Sequence, residues 1–337
     1  MAPTSYLPQA KDSSSAHTKQ VYCLRATPDY IASGSSDGSI RVWSTKSQSL
    51  ALPPLTSPGS TCFVSVEISR ELDLVFGGDT KGNVVIWRLS DGEHVHTQRV
   101  HEDSLLALAL DAKTLVATSR DKTASVWQIA QTSSGQIEME LQQTLRGHEM
   151  AVLAANVLQD RIYTSTGDKT LRIWNRQSGV LMKSIKMKAS MAQFELVSDL
   201  AGPSILGGCS DGTIRLYSPN TEEELACIVG HTNVVRHVSV IAEDDTPKSL
   251  RFVSASYDGT IRIWIVHQEQ TVSWDCTEIL SFSDAVVTSL PSDQRAVDRD
   301  MAEGKPMVNR IMDMQVEGGR IYCCGEASEI IVWSLPS

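Results

Sequence analysis

With 337 residues, 41% of them hydrophobic, the chain has room for two domains at about 150 residues each, although closed all-β architectures run past about 250 residues as one. No apolar run reaches the ~18 residues of a helical membrane span, and the N-terminus lacks the basic and apolar regions of a secretory signal. Thirty Lys and Arg against 40 Asp and Glu give a net charge of −10, which argues against nucleic acid as the main partner, since a phosphate-backbone binder needs a positive field. The seven cysteines (Cys23, Cys62, Cys209, Cys227, Cys276, Cys323, Cys324) are odd in number and form no C-x-x-C pair. They read as reduced thiols of a cytoplasmic or nuclear protein. H-E-x-x-H, P-loop, G-x-S-x-G and G-x-G-x-x-G patterns are missing, so neither catalytic residues nor a metal nor a cofactor is expected.

In chain order, residues 4–11 form an extended segment in which Pro8 suits an edge strand. A β-prone run follows at Val21-Tyr-Cys-Leu, then Tyr30-Ile-Ala-Ser-Gly-Ser, then Ser35-Ser-Asp-Gly-Ser-Ile-Arg-Val-Trp43. This last pattern recurs as Ser119-Arg-Asp-Lys-Thr-Ala-Ser-Val-Trp127, Thr166-Gly-Asp-Lys-Thr-Leu-Arg-Ile-Trp174, Cys209-Ser-Asp-Gly-Thr-Ile-Arg-Leu-Tyr217 and Ser256-Tyr-Asp-Gly-Thr-Ile-Arg-Ile-Trp264. Weaker copies end at Trp87 and Trp333. The seven closing aromatics stand 44, 40, 47, 43, 47 and 69 residues apart. Five of these intervals fit the ~40–45-residue period of a propeller blade, and the last carries an insertion.

Each unit is physically coherent. Asp-Gly or Asp-Lys between two β-prone runs signals a tight hairpin. A further strand precedes it, as at Leu105-Leu-Ala-Leu-Ala-Leu and Val152-Leu-Ala-Ala. A small sheet of this kind cannot bury both faces alone, whereas radial stacking of seven does so and leaves short edges. The single Trp274-Asp275 pair falls where the outer strand of the sixth unit should run, and His94 and His96 fall on that of the second. Residues 131–141 read as an outer hairpin joining units three and four, and residues 283–307 as a long insertion loop between units six and seven.

From about residue 16 to 335 the chain resembles the WD40-repeat family, on Gly147-His148, Gly230-His231 and the Asp and closing Trp of each hairpin. The resemblance implies an all-β fold, a seven-bladed propeller of four-stranded antiparallel blades. Its last blade is closed by the N-terminal strand within residues 1–15, and residues 1–337 form a single propeller domain. It also implies a hydrogen-bonded His, Ser or Thr, Asp and Trp set inside a blade. Those positions are His17, Ser33, Asp37 and Trp43 in blade one, His148, Thr164, Asp168 and Trp174 in blade four, and His231, Ser254, Asp258 and Trp264 in blade six. Blade three has His101, Asp121 and Trp127, but Ala117 replaces the hydroxyl; blade two has Lys81, and blade seven Ala327, at the Asp position. Repetition of the sets at fixed spacing marks them as structural.

The functional expectation is a non-catalytic scaffold, monomeric by itself, that binds proteins or peptides of a multisubunit complex on one propeller face. The contact candidates are Tyr22, Leu106, Leu153, Arg236 and Met312 at the first strands and Arg120 and Tyr257 before the turn Asp, since Tyr and Arg are favoured anchors. A substrate-recognition or adaptor subunit of a ubiquitin ligase is the alternative, although the N-terminal segment is short for an F-box and no Trp-Asp-x-Arg signature occurs. A propeller enzyme is the remote reading, because the first strands show no convergent Asp, Glu and His set in sequence.

Overall fold

The computed structural model describes residues 2–8, 15–59, 61–132, 136–197, 203–241, 249–268, 272–289 and 309–335. After β1 (Ser5–Leu7), blade one comprises β2–β5 at Val21–Ala26, Tyr30–Ser35, Ser39–Ser44 and Leu55–Thr56. Blade two comprises β6–β9 at Phe63–Ser69, Leu74–Asp79, Asn83–Arg88 and His94–Arg99. Blade three comprises β10–β13 at Leu105–Asp111, Thr114–Ser119, Ala124–Gln131 and Ile137–Leu145. Blade four comprises β14–β17 at Val152–Leu158, Arg161–Thr166, Thr170–Asn175 and Leu181–Lys186. Blade five comprises β18–β21 at Met191–Val197, Ser204–Cys209, Ile214–Tyr217 and Glu224–Ile228. Blade six comprises β22–β25 at Val235–Ile241, Ser249–Ser256, Thr260–Gln268 and Val272–Ser281. After α1 (Phe282–Ser289), blade seven comprises β26–β28 at Ile311–Glu317, Arg320–Gly325 and Ile330–Ser334, and its fourth strand is β1. All seven sheets are antiparallel, and β1 pairs Ser5, Tyr6 and Leu7 with Val332, Ile331 and Ile330.

The period-2 alternation of each strand sends side chains to both faces, and each face meets a neighbouring blade. The buried residues accordingly fall into seven clusters, one at every junction around the ring. The closing aromatic of each unit packs against the blade before it: Trp43 on blade seven, Trp87 on blade one, Trp264 on blade five. Adjacent Cys323 and Cys324 serve different junctions, Cys323 facing blade six and Cys324 facing blade one. Backbone bonds stitch the blades near the axis. Leu24 N–H donates to Asp313 Oδ2 at 2.8 Å, Leu108 N–H to Ser65 Oγ at 2.8 Å and Val238 N–H to Gln193 Oε1 at 3.0 Å.

Two sequence expectations change. The segment expected as a loop from 283 opens as α1: Ser281 Oγ accepts the Asp284 N–H at 3.2 Å as an N-cap, and Phe282 and Ala285 are buried against blade seven. Spacing by three and four (Phe282, Ala285, Val286) is the helical signal that the turn-former content of this stretch hides. Residues 290–308 of the insertion lie outside the described residues. Residues 131–141 do not join two blades: Gln131 ends β12 and 137–141 open β13, two strands paired within blade three. Trp274 lies on β25 opposite Val266.

Candidate functional site

Inside blades one and six a relay crosses the sheet. In blade one the Trp43 indole N–H donates to Ser33 Oγ at 3.0 Å, Ser33 Oγ lies 2.9 Å from His17 Nε2, and His17 Nδ1 lies 3.0 Å from Asp37 Oδ2. In blade six the same links among Trp264, Ser254, His231 and Asp258 measure 2.8, 2.7 and 2.8 Å. A His with Nδ1 protonated satisfies every group in this chain. Burial raises the Asp37 and Asp258 carboxyls, but hydrogen bonds from the His, from Ser39 or Thr260 and from the loop N–H outweigh it and hold both well below the usual range.

Blade four is only half connected. Trp174 donates to Thr164 at 2.9 Å and Thr164 Oγ1 lies 3.0 Å from His148 Nε2, but His148 Nδ1 has no partner. Asp168 instead takes bonds from Thr166, Thr170 and the Glu149 N–H, and Arg172 lies 3.7 Å away. Burial, with the Arg172 charge, lowers the His148 imidazole to about 4. Blade three replaces its missing hydroxyl from the opposite strand. Ser125, directly across from Ala117, accepts the Trp127 indole N–H at 2.7 Å and meets His101 Nε2 at 2.8 Å. In blade two Asp79, two residues before Lys81, accepts the N–H groups of Lys81 and Asn83 at 2.8 and 2.9 Å. Blade five substitutes an ion network: Arg215 bridges Asp211 at 2.8 Å and Glu224 at 2.6 Å, and Tyr217 donates to Glu224 at 3.0 Å.

The first strands enclose an axial cavity of about 230 Å³ whose wall includes Tyr22, Leu106, Leu153 and Arg236. Arg236 donates to the Ala192 carbonyl at 3.3 Å, and the Tyr22 hydroxyl donates to Gln20 at 3.1 Å. Tyr22 and Tyr257 pack on one cluster with Met312, which is only 8% exposed. The Arg310 guanidinium lies 5.7 Å from the Tyr257 ring centre and is paired with Glu326 at 2.6 Å. Arg120 stands exposed on the blade-three turn, away from the cavity wall.

The axis also corrects one sequence expectation. First-strand acids and bases do converge: Arg25 pairs with Glu67 at 2.9 Å, His237 with Asp313 at 2.7 Å, and Glu195 accepts the Val240 N–H at 2.9 Å, all in the cavity wall. Burial raises Glu67 to about 7 against the opposing pull of Arg25, and burial also raises Glu195. They are missed in sequence because each stands on the first strand of a different blade, and only ring closure unites them. These side chains are engaged with each other and with the next blade's backbone. Among the described residues no group of three His, Cys, Asp or Glu is placed to hold a metal ion, and His94 bonds Thr97 at 2.7 Å.

Residues 10–44, 139–175 and 222–264 match the model of the WD domain, G-beta repeat. The pre-rRNA-processing protein IPI3 of Yarrowia lipolytica is 25% identical over 207 residues, which cover 59% of this chain and 48% of that protein. The nuclear distribution protein PAC1 of Candida albicans is 24% identical, covering 60% and 48%. The ribosome biogenesis protein WDR12 homolog of Aedes aegypti is 23% identical, covering 74% and 62%. The chain thus spans about half the length of the first two relatives and under two thirds of the third. The solved WD40 beta propeller domain of Doa1 superposes with a TM-score of 0.71 over 95% of each chain at 20% identity, a likeness of fold. The chain carries WD40 repeats and forms a seven-bladed β-propeller.

Proposed function

We propose that this propeller is a non-catalytic scaffold that holds protein or peptide partners of a multisubunit complex over the mouth of its axial cavity. The observation that carries the reading is the union of Tyr22 and Tyr257 on one apolar cluster, with Arg236 in the adjoining wall and Arg310 over the Tyr257 ring. Tyrosines and arginines offer large contact area with polar ends. The relay histidines His17, His101, His148 and His231 do not argue for hydrolysis, because each meets the hydroxyl that takes the indole N–H of its own blade's closing Trp. Two of the relatives are named for pre-rRNA processing and ribosome biogenesis, which supports a nuclear assembly role. Cross-linking mass spectrometry of the tagged chain in nuclear and cytoplasmic extracts tests the reading. Cross-links to a recurrent set of proteins are expected from Lys19 and Lys188, in the loops that enter β2 and β18, and from Lys81, in the turn between β7 and β8, and cross-links confined to the blade rims would overturn it.

A further inference from the structure

Blade three departs from its sisters in a second respect. The residue across from the relay hydroxyl is Arg41 in blade one, Arg172 in blade four and Arg262 in blade six, but Ser125 in blade three. Arg41 lies 3.1 Å from Asp37 and Arg172 3.7 Å from Asp168, while Arg262 lies against the Gly230 loop. The hydroxyl of blade three has therefore moved onto the site where the sisters keep a guanidinium. The space is left open as a cavity of about 670 Å³ lined by His101, Asp121, Thr123, Ser125, Leu141 and Thr144, among others. The Asp121 side chain is 18% exposed, against 7–8% for Asp37, Asp168 and Asp258.

We infer that this cavity between blades two and three is an arginine socket, which takes the arginine side chain of a protein partner against Asp121 in the place that blades one and four fill from within. Three other charged residues frame it. Arg99 is turned to the carbonyls of His101 and Glu102 at 3.2 Å each, and Glu102 and Arg146 stand exposed at the rim. Val100 also lines the cavity, and blade one seats its own guanidinium with a Cβ at the matching loop position, Ala16. A planar fork facing one carboxylate, with the hydroxyls of Thr123 and Ser125 beside it, suits guanidinium better than ammonium. The inference is independent of the cavity-mouth reading above.

The test is a titration with N-acetyl-arginine amide, followed at the Trp127 indole N–H resonance, which reports the Ser125 contact directly. A saturable shift is expected, with the uncharged N-acetyl-citrulline amide roughly tenfold weaker. Asp121→Asn should abolish it, and so should the double variant Ala117→Ser, Ser125→Arg, which rebuilds the pattern of blade one. The variant Tyr22→Ala, Arg236→Ala, Tyr257→Ala should leave the shift unchanged. Equal response to arginine and citrulline probes would overturn the inference. So would unchanged binding by Asp121→Asn, or a response to inorganic phosphate in place of arginine, which would assign the cavity to Arg99 and Arg146. Should the double variant fail to fold, the Asp121→Asn comparison still decides.

Discussion

Ser125 is a single hydroxyl with two partners, the Trp127 indole and the His101 ring, in a buried setting. Ser125→Ala leaves both unsatisfied and should cost about 1–3 kcal/mol in chemical denaturation, with Ala117→Ser in the same chain recovering most of the loss. The compensation is legible in the sequence only to a reader who knows that positions 117 and 125 face each other across a hairpin, so that Ser125 reads as an irregular Arg until the register is drawn. His148 gives a pH dependence of defined sign. Its folded value near 4 lies below the ordinary 6.5, so the unfolded chain binds the extra proton first as pH falls. Its contribution to stability is fully present above about pH 6.5 and is lost on descent towards about 4. His17, also lowered by burial, acts in the same direction. Thermal melts from pH 7.5 to 4.5 should show this loss, and His148→Gln should reduce it, leaving the part due to His17. Below this range the depressed Asp37 and Asp258 take over, and their contribution fades as acid protonates them.

At the scale of elements, the hairpins are the best-announced features because Asp-Gly and Asp-Lys demand one turn geometry. Gly38 and Gly259 adopt positive φ there, and Lys122 and Lys169 are held in the same region at 71° and 65°. Lys169→Gly should therefore remove the strain of a left-handed non-glycine residue and raise stability by up to about 1 kcal/mol. Closure by β1 is what the family resemblance implies, and the structure seats Leu7 fully buried between blades seven and one. Deletion of residues 1–15 exposes the β28 edge and empties the Leu7 site, so the melting temperature should fall markedly; Leu7→Ala alone should cost about 2–5 kcal/mol. The helix α1 was not readable, because its three apolar contacts are dispersed among turn-forming residues. Phe282→Ala, which empties the largest of these contacts, should cost about 3–5 kcal/mol in the same denaturation assay.

For the whole molecule, periodicity carried the fold: seven closing aromatics at near-constant spacing specify seven junctions, and each junction has its own apolar cluster. The candidate site was harder to read for the same reason that a ring is stable. Tyr22 and Tyr257 lie far apart in sequence and meet only because blades six, seven and one close on each other. The axial charges Arg25, Glu67, Glu195, His237 and Asp313 come from five separate first strands. The most direct measurement is quantitative affinity capture of the tagged chain and of its Tyr22→Ala, Arg236→Ala, Tyr257→Ala variant from the same cells, with circular-dichroism melts of both. A scaffold that works at the cavity mouth predicts a specific partner set retained by the native chain and lost by a variant of closely similar melting temperature; retention of every partner by that folded variant would contradict it.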